Sequence, residues 1–450
     1  MATVQIFTIS FILLILFSLP IFYFRKRGAD TFSPVMISMF LIIITNIPYL
    51  ISISRNYDIL NPLVRWRIPE TEIDYAIAKY AVVLVIGVIG LLLGVNSRFS
   101  AKIVKPIPVF IGNESKVRYF WAFLFSLFLG LLGYKIFMNS AGGFSNFINN
   151  LEQRASYTNG SGYVMTLMSL LEISVYIFIC TFKYKKTLFK YLVLMILIVG
   201  TSFLLSSMGG RKSTLQFIIF SMIVWHFAVG KIKRLSFKMC ALVPVALFYI
   251  VVMPIIRTPD GVEVYTNNPE KLVTDVVEST DSLTQQFSYI DHYLFIMDYF
   301  TIDKLWLGSS FMDLLYAPLP SSIYPDKPPV DDGVYIRTLA EGWEVSPSTP
   351  FKEMYPSSWP PETFGAMYMN FWIPGVFIGF YILGMLYRAS YLYMIKSEYS
   401  LYSILIYGNI LLNFHISNLR IVQTLTDIIL ITVFLGLFFF GFKKKYRLVW

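Results

Sequence analysis

The sequence predicts an all-α polytopic membrane protein, and three observations support this fold class. Of the 450 residues, 56% are hydrophobic and 14% are charged, whereas about 25% are charged in a soluble globular protein. Apolar runs of about 20 residues, enough to cross a bilayer core, recur from end to end. Basic residues concentrate in alternate connections between these runs, which is typical of multi-pass proteins. The net charge of +10 therefore does not indicate nucleic-acid binding.

The apolar runs predict about eleven transmembrane helices. We place them at residues 4–24, 34–54, 76–96, 118–138, 163–182, 190–208, 213–230, 239–256, 364–387, 401–417 and 421–442. This divides the chain into a transmembrane bundle of about eight helices (1–256), a large outer loop with short helices (257–363), and three further helices followed by a basic tail (364–450).

The distribution of basic residues predicts the orientation. The first apolar run, 4–24, has no basic residue before it and "RKR" after it, so it is a retained helix and not a signal peptide. With the N-terminus outside, 22 of the 37 Lys and Arg residues lie in inner segments, as the positive-inside rule requires. We therefore expect the N-terminus outside and the C-terminus in the cytoplasm.

The large outer loop is the main candidate for function. It carries 17 acidic residues against six Lys and Arg, and loops of this length in a compact fold are usually functional. Its many Tyr and Trp side chains suit sugar rings. They equally suit the membrane interface, where these residues are enriched.

A tight hairpin, "SSMGGRKSTLQ", places Arg211 and Lys212 on the outer side. The preceding Gly209 and Gly210 let backbone N–H groups approach an anion closely. The helix that follows begins with an N-terminus that is itself an anion site. We interpret the hairpin as one wall of a phosphate or diphosphate pocket, although these cations could instead anchor the hairpin to lipid headgroups.

Three further arginines lie outside, where the positive-inside rule does not require them: Arg257, Arg337 and Arg420. Arginine presents a planar fork of N–H donors that matches phosphate oxygens. These residues are therefore candidates for the same diphosphate site as Arg211 and Lys212.

The overall pattern resembles the Wzy-type oligosaccharide repeat-unit polymerases, within the O-antigen polymerase and ligase group of lipid-linked glycosyltransferases. The most specific stretch is "PPETFGAMYMNFWIPGVFIGFYILGMLYR", in which Tyr368, Asn370, Phe371 and Gly375 follow the family pattern. Trp372 stands where the family often has glycine. The resemblance covers the architecture and about thirty residues closely.

The resemblance implies a GT-C-like fold in a bacterial cytoplasmic (inner) membrane. It also implies transfer of a growing glycan from undecaprenyl diphosphate onto a lipid-linked repeat unit, for O-antigen (lipopolysaccharide) or capsular polysaccharide synthesis. No metal or other cofactor is expected. Tyr368 and Asn370 would bind substrate, membrane lipid would surround the chain, and the family leads us to expect a chain-length regulator as a partner.

The same resemblance suggests where a catalytic base would lie. Related ligases carry a His-Asn pair before the helix that follows the loop, and here Pro361 and Glu362 occupy that place. Glu362 is therefore the first candidate base, although it could be an ordinary solvated carboxylate. His292 is the second candidate and Asp291 the third, and His415 could reach the same pocket.

Three alternatives stay open. An O-antigen ligase is disfavoured because the His-Asn pair is absent. A lipid-linked oligosaccharide flippase would use intramembrane acids such as Glu172 and Asp427 as a proton path, but it would normally show repeat symmetry. An outer-facing scaffold of a polysaccharide assembly complex would not need the outward arginines to converge.

Overall fold

The computed structural model describes residues 4–109, 114–143, 162–207, 211–232, 280–319 and 323–439, with a few short pieces between 146 and 275. The described chain forms helices and contains no strand. The helices are α1 Val4–Lys26, α2 Pro34–Arg55, α3 Pro62–Arg67, α4 Ile73–Val95, α5 Phe99–Val104, α6 Lys116–Ser140, α7 Gly162–Met168, α8 Leu170–Cys180, α9 Leu188–Ser207, α10 Arg211–Ala228, α11 Thr280–Phe287, α12 Ile290–Tyr299, α13 Asp332–Ala340, α14 Glu362–Lys396, α15 Leu401–Asn413 and α16 Asn418–Phe439.

Eight helical segments in the described chain are long and apolar enough to cross a membrane: Val4–Lys26, Pro34–Arg55, Ile73–Val95, Lys116–Ser140, Tyr163–Lys183, Leu188–Ser206, Glu362–Lys396 and Asn418–Phe439. The prediction of an all-helical chain with several membrane-spanning helices is therefore confirmed. The predicted spans 213–230 and 401–417 correspond to the shorter apolar helices Ser213–Ala228 and Leu401–Asn413. The predicted span 239–256 lies outside the described residues.

The chain folds into two compact units, each assembled from three segments. The first unit comprises Met1–Ile107, Asp281–Leu392 and Asn413–Thr426. The second comprises Pro108–Thr280, Tyr393–Leu412 and Asp427–Trp450. The sequence-based division at residues 256 and 363 follows the chain, whereas each unit gathers segments that are distant in sequence.

Small residues bring α4 and α14 together in the first unit. A Cβ atom added to Gly90 would lie 2.5 Å from the carbonyl oxygen of Phe377, and one added to Gly94 would lie 2.1 Å from that of Tyr381. The approach is mutual, because a Cβ on Gly384 would lie 2.3 Å from the Leu91 carbonyl oxygen. Close backbone contact of this kind is a common way for helices to associate in lipid.

Helix α14 is broken at Trp372, where φ is 56° and ψ is −151°. The predicted span 364–387 is thus part of a longer helix with an interruption. Pro374, two residues on, has no N–H to donate back into the preceding turn. The break also leaves the Met369 carbonyl free to accept the N–H of Trp306, at 3.0 Å.

A set of four buried polar residues joins the large loop to the ends of two long helices. We call Ser310, Asp332, Asn370 and Asn418 the loop clamp. Asn370 Nδ2 donates to Ser310 Oγ at 2.9 Å, and Asn418 Nδ2 donates to the Ser310 carbonyl at 2.6 Å. Asp332 accepts the backbone N–H of Asn418 at 2.9 Å and its Nδ2 at 3.0 Å. Each of the four side chains is at most 1% exposed, so these polar groups depend on one another for hydrogen bonds.

The second unit is organised around α6, α8 and α10. Glu114, just before α6, accepts a hydrogen bond from Tyr119 at 2.6 Å, an ion-paired N–H from Lys183 at 3.2 Å and the backbone N–H of Leu401 at 3.0 Å. One carboxylate thereby links the start of α6 to Lys183 and to the start of α15. Its basic partner Lys183 is one of the cations that the topology prediction assigns to the inner side.

The break in α14 makes a prediction about residue 372. A φ of 56° with ψ of −151° is a region that glycine tolerates and other residues enter at a cost of about 1–3 kcal/mol. We expect Trp372→Gly to be more stable than Trp372→Ala by about 1 kcal/mol or more, because both lose the indole and differ in one Cβ. Thermal unfolding in detergent measures the difference.

The matched control is Ile378, in the regular part of α14. There Ile378→Gly should be less stable than Ile378→Ala by about 1 kcal/mol, since glycine is a poor helix former. Equal stability of the two Trp372 variants, or the same order as at Ile378, would contradict a glycine-like backbone at residue 372.

Candidate active site

The centre of the candidate site is an ion pair between Glu362 and Arg420 in the first unit. Arg420 Nη2 lies 2.8 Å from Glu362 Oε1, and Arg420 Nε lies 3.2 Å from both carboxylate oxygens. The Glu362 side chain is 3% exposed and that of Arg420 is 22% exposed. A two-point contact between a guanidinium and a carboxylate fixes the orientation of both groups.

The backbone presents Glu362 in an unusual conformation. Glu362 begins α14 after two consecutive prolines and has φ of 47°, a value that non-glycine residues seldom adopt. The first turn of α14 is closed by a hydrogen bond from the Gly365 N–H to the Pro361 carbonyl, at 2.8 Å. Strained residues of this kind cluster at functional sites.

His415 lies beside this ion pair. Its Nε2 is 3.6 Å from Glu362 Oε2, and its Nδ1 is 3.4 Å from Thr363 Oγ1. Thr363 Oγ1 also accepts the Ile416 N–H at 2.9 Å, so its own proton is available for Nδ1. This arrangement favours the tautomer with a proton on Nε2, facing the carboxylate. Glu362 can therefore stabilise the imidazolium that forms when His415 takes up a proton.

The contacts of the Glu362 carboxylate affect its predicted role as the base. Both carboxylate oxygens already accept N–H groups from Arg420, and His415 faces Oε2. The geometry therefore suits Glu362 better as the group that orients Arg420 and His415. His415 is the alternative acceptor for a substrate proton, at Nδ1, where a substrate hydroxyl would replace the Thr363 hydroxyl that lies 3.4 Å away.

A wall of aromatic rings surrounds His292, the second predicted base. Its ring stacks on Trp359 with centroids 5.0 Å apart and planes 14° apart, and Tyr289 lies 5.6 Å away. Its Nδ1 is 3.3 Å from the Pro360 carbonyl oxygen, two residues before Glu362. Burial, with a smaller contribution from Arg337, lowers the pKa of His292 to about 4, although the Pro360 carbonyl and Glu362 oppose this shift. At neutral pH His292 is thus uncharged.

Arg337 contacts the same wall. Its guanidinium carbon lies 5.2 Å from the ring centre of Trp359 and 5.0 Å from that of Tyr355. It also forms an ion pair with Glu341, one turn further along α13. Arg337 therefore lies in the first unit with Glu362 and Arg420, and part of its charge is balanced by Glu341.

Asp291, the third predicted base, is held elsewhere in the first unit. Its carboxylate accepts hydrogen bonds from Tyr49 at 2.6 Å and Gln285 at 2.8 Å. Burial raises its pKa, and these hydrogen bonds oppose the shift. Because the contacts link α12 to α2, they favour a packing role. Catalysis by Asp291 stays a prediction.

The two residues predicted to bind substrate from the resemblance are fully buried. Tyr368 accepts a hydrogen bond from Trp372 Nε1 at 3.0 Å, across the break in α14. Asn370 belongs to the loop clamp and also accepts the Gly308 N–H at 2.9 Å. These contacts are sufficient to explain the burial of both side chains as packing. Their binding of substrate stays a prediction.

The other predicted cations lie beyond what the structure describes. Arg211 and Lys212 begin α10 in the second unit, but the structure describes only their backbone. Arg257 lies outside the described residues. The prediction that these three cations share a phosphate pocket with Arg337 and Arg420 is therefore untested.

Two contributors were missed by sequence reasoning. Thr363, between Glu362 and the His415 segment, had no signal of its own in the sequence. Asp332 had no role in the sequence-based predictions, yet its carboxylate binds the start of α16, two residues before Arg420. The stretch "NFHISNLR" did contain the useful signal, since it places His415, Asn418 and Arg420 together.

Within the described chain, no group of three His, Cys, Asp or Glu side chains is arranged to hold a metal ion. Comparison with protein-family models, with curated proteins and with solved structures found no match. The function is therefore inferred from the residues of this chain.

The lowered pKa of His292 makes a prediction about stability against pH. An unfolded histidine has a pKa of about 6.5, and the folded value is about 4. The stability contributed by neutral His292 is thus present above pH 6.5 and is lost as the pH falls towards 4. We expect His292→Gln to flatten the acid side of the melting-temperature profile between these pH values.

The measurement is thermal unfolding in detergent at closely spaced pH values. His415→Gln is the matched control, because it removes the neighbouring histidine and leaves His292 and its aromatic contacts unchanged. Parallel profiles for wild type and His292→Gln would contradict the neutral state of His292.

Proposed function

We propose that this chain is a membrane glycosyltransferase that polymerises lipid-linked oligosaccharide repeat units. In this proposal about eleven helices span a bacterial cytoplasmic membrane, with the N-terminus and the large loop outside. The donor is a growing glycan on undecaprenyl diphosphate, and the acceptor is one lipid-linked repeat unit. The product serves O-antigen or capsular polysaccharide synthesis.

One observation carries the proposal: Glu362, His415 and Arg420 converge, with Arg420 within 2.8 Å of Glu362 and His415 Nε2 within 3.6 Å of it. Glu362 comes from the end of the large loop, His415 from the connection between the last two helices and Arg420 from the start of α16, which the topology prediction places on the same side. A proton acceptor beside a guanidinium is what glycosyl transfer from a diphosphate requires.

The backbone at Trp372 gives independent support for the resemblance. Its φ of 56° and ψ of −151° suit glycine, and the polymerases often have glycine at this position of the motif. A glycine at that position in the family would permit the same break in the helix.

The proposed reaction balances with these residues. The acceptor hydroxyl oxygen forms a bond to the donor's anomeric carbon as the bond from that carbon to the diphosphate oxygen breaks. The hydroxyl proton passes to His415 Nδ1 as the acceptor hydroxyl replaces the Thr363 hydroxyl there, and Glu362, facing Nε2, stabilises the resulting imidazolium. Undecaprenyl diphosphate leaves with the electron pair, and Arg420, aided by Arg337, stabilises its negative charge.

The Glu362–Arg420 pair leaves part of the guanidinium for substrate. Glu362 and Gln423 together engage one N–H on each of the three nitrogens of Arg420. Because a guanidinium has five N–H donors, two remain for the diphosphate oxygens while Glu362 stays in contact with Arg420.

The flippase alternative has one observation in its favour. In the second unit, Tyr176 donates to Glu172 and Asn409 donates to Asp427, both at 3.2 Å. Carboxylates within membrane helices can mark a proton path. The ligase alternative has no comparable support, because Pro361 and Glu362 stand in place of the ligase His-Asn pair.

The test is the surface polysaccharide of a strain that lacks the native gene and carries His415→Asn or Arg420→Lys. We expect both to remove long chains and leave a single-repeat product at normal protein level. Arg420→Lys should cost about tenfold or more, the rate equivalent of 1.4 kcal/mol, because an ammonium cannot replace the two-point contact. Arg388→Lys, a charge-conserving change near the other end of α14, is the matched control.

The gel also separates the alternatives. A full ladder in both site variants would contradict the proposal. Loss of even the single-repeat product from the surface would favour the flippase. Accumulation of long lipid-linked chains that are not transferred to their final acceptor would favour the ligase.

A further inference from the structure

Part of the large loop buries its polar face and exposes its apolar face, the reverse of a helix on the surface of a soluble protein. In the 3-10 helix Ser309–Tyr316, Ser310 and Asp313 are fully buried, whereas Met312 is 57% and Leu315 is 69% exposed. A 3-10 helix repeats every three residues, so the two polar residues share one face and the two apolar residues share another. A segment that faces water would present the opposite faces.

The apolar surface continues on both sides of this helix. Leu307 is 75% exposed just before it, and Ile323 is 72% exposed shortly after it. The rings of Tyr316 and Tyr324 lie 5.7 Å apart, which keeps Ile323 beside the end of the helix. We call Leu307, Met312, Leu315 and Ile323 the apolar lip. Large exposed apolar patches mark interaction surfaces.

The polar face cannot turn outward to hide the apolar lip. Ser310 is held by Asn370 and Asn418 in the loop clamp. Asp313 accepts a hydrogen bond from Tyr335 at 2.8 Å. Rotation of the 3-10 helix would break these buried hydrogen bonds, so the outward direction of Met312 and Leu315 is built into the fold.

The apolar lip is continuous with a membrane-spanning helix. Phe311 stacks on Phe371 of α14 with ring centres 6.4 Å apart and planes 11° apart. A Cβ on Gly308 would lie 3.2 Å from the Phe371 ring, so the loop approaches this ring closely. Phe371 itself is 39% exposed, as is Ile378, at 51%, further along α14.

The length of α14 indicates the depth of this contact in the bilayer. Beyond the break, residues 373–396 form a helix about 36 Å long at 1.5 Å per residue. The hydrocarbon core is about 30 Å thick. Because the part beyond the break suffices to cross the core, Phe371 and the neighbouring lip lie near one boundary of the bilayer.

We propose that the apolar lip lies in the bilayer at this boundary, with lipid acyl chains as its occupant. The large loop is then a membrane-seated segment and not a freely hydrated one. The exposed ion pair between Lys352 and Asp326 marks a part of the loop that faces water. This inference does not rest on the proposed glycosyl transfer, and it holds for any reaction at the site.

The test uses the full chain in liposomes, with single nitroxide labels in a background without Cys180 and Cys240. The labelled positions are Leu315, with Met312 as a second lip position. Ile378 is the lipid-facing control and Lys352 the aqueous control. We expect the Leu315 and Met312 labels to collide severalfold more often with oxygen, which concentrates in lipid, than with a water-soluble nickel complex, as at Ile378.

Two outcomes would overturn the proposal. A preference for the nickel complex, as at Lys352, would show that the lip faces water. Low access to both reagents at Leu315 and Met312 would show that protein covers the lip, from a second copy or another partner. If the label at one position disturbs folding, the other decides between these outcomes.

Discussion

The structure of the first unit depends on the burial of polar groups at the loop clamp. Asn418 bonds to Asp332 and to the Ser310 carbonyl, and Asn370 bonds to Ser310 Oγ. Leaving one such buried group without a partner costs about 1–3 kcal/mol, so the clamp members tend to be kept or lost together. Burial, with Asp331 and Asp313 nearby, raises the pKa of Asp332 well above its usual range, while the Asn418 N–H opposes this shift.

The loop clamp determines the position of the candidate active site. Asn418 begins α16, and Arg420 lies two residues later, facing Glu362 at the start of α14. A second contact, from the Ile416 N–H to Thr363, fixes the segment that carries His415. The site is therefore assembled from chain segments that are more than fifty residues apart in sequence. The same clamp holds the 3-10 helix with its apolar side chains outward, so the site and the apolar lip share one support.

Sequence reasoning succeeded where the signal is local. Uninterrupted apolar runs predicted the long helices. It failed where the outcome depends on distant partners. No local pattern at Trp372 indicates a glycine-like backbone, which only the resemblance to the polymerases suggests, and the ion pair of Glu362 depends on a residue 58 positions away. The outward apolar face was missed because eight residues of 3-10 period inside a polar, acidic loop give no helical or strand pattern.

Hydrogen–deuterium exchange on Asn418→Ala in detergent tests most directly whether the clamp organises the site. The change removes two hydrogen bonds but keeps the backbone N–H that binds Asp332. The account predicts exchange about tenfold faster or more, equivalent to about 1.4 kcal/mol, in α13 and in the 3-10 helix Ser309–Tyr316, with α6 unchanged. Asn96→Ala, which removes an exposed bond to the Leu92 carbonyl, should change neither segment. Exchange in α13 and the 3-10 helix at the wild-type rate would contradict the account.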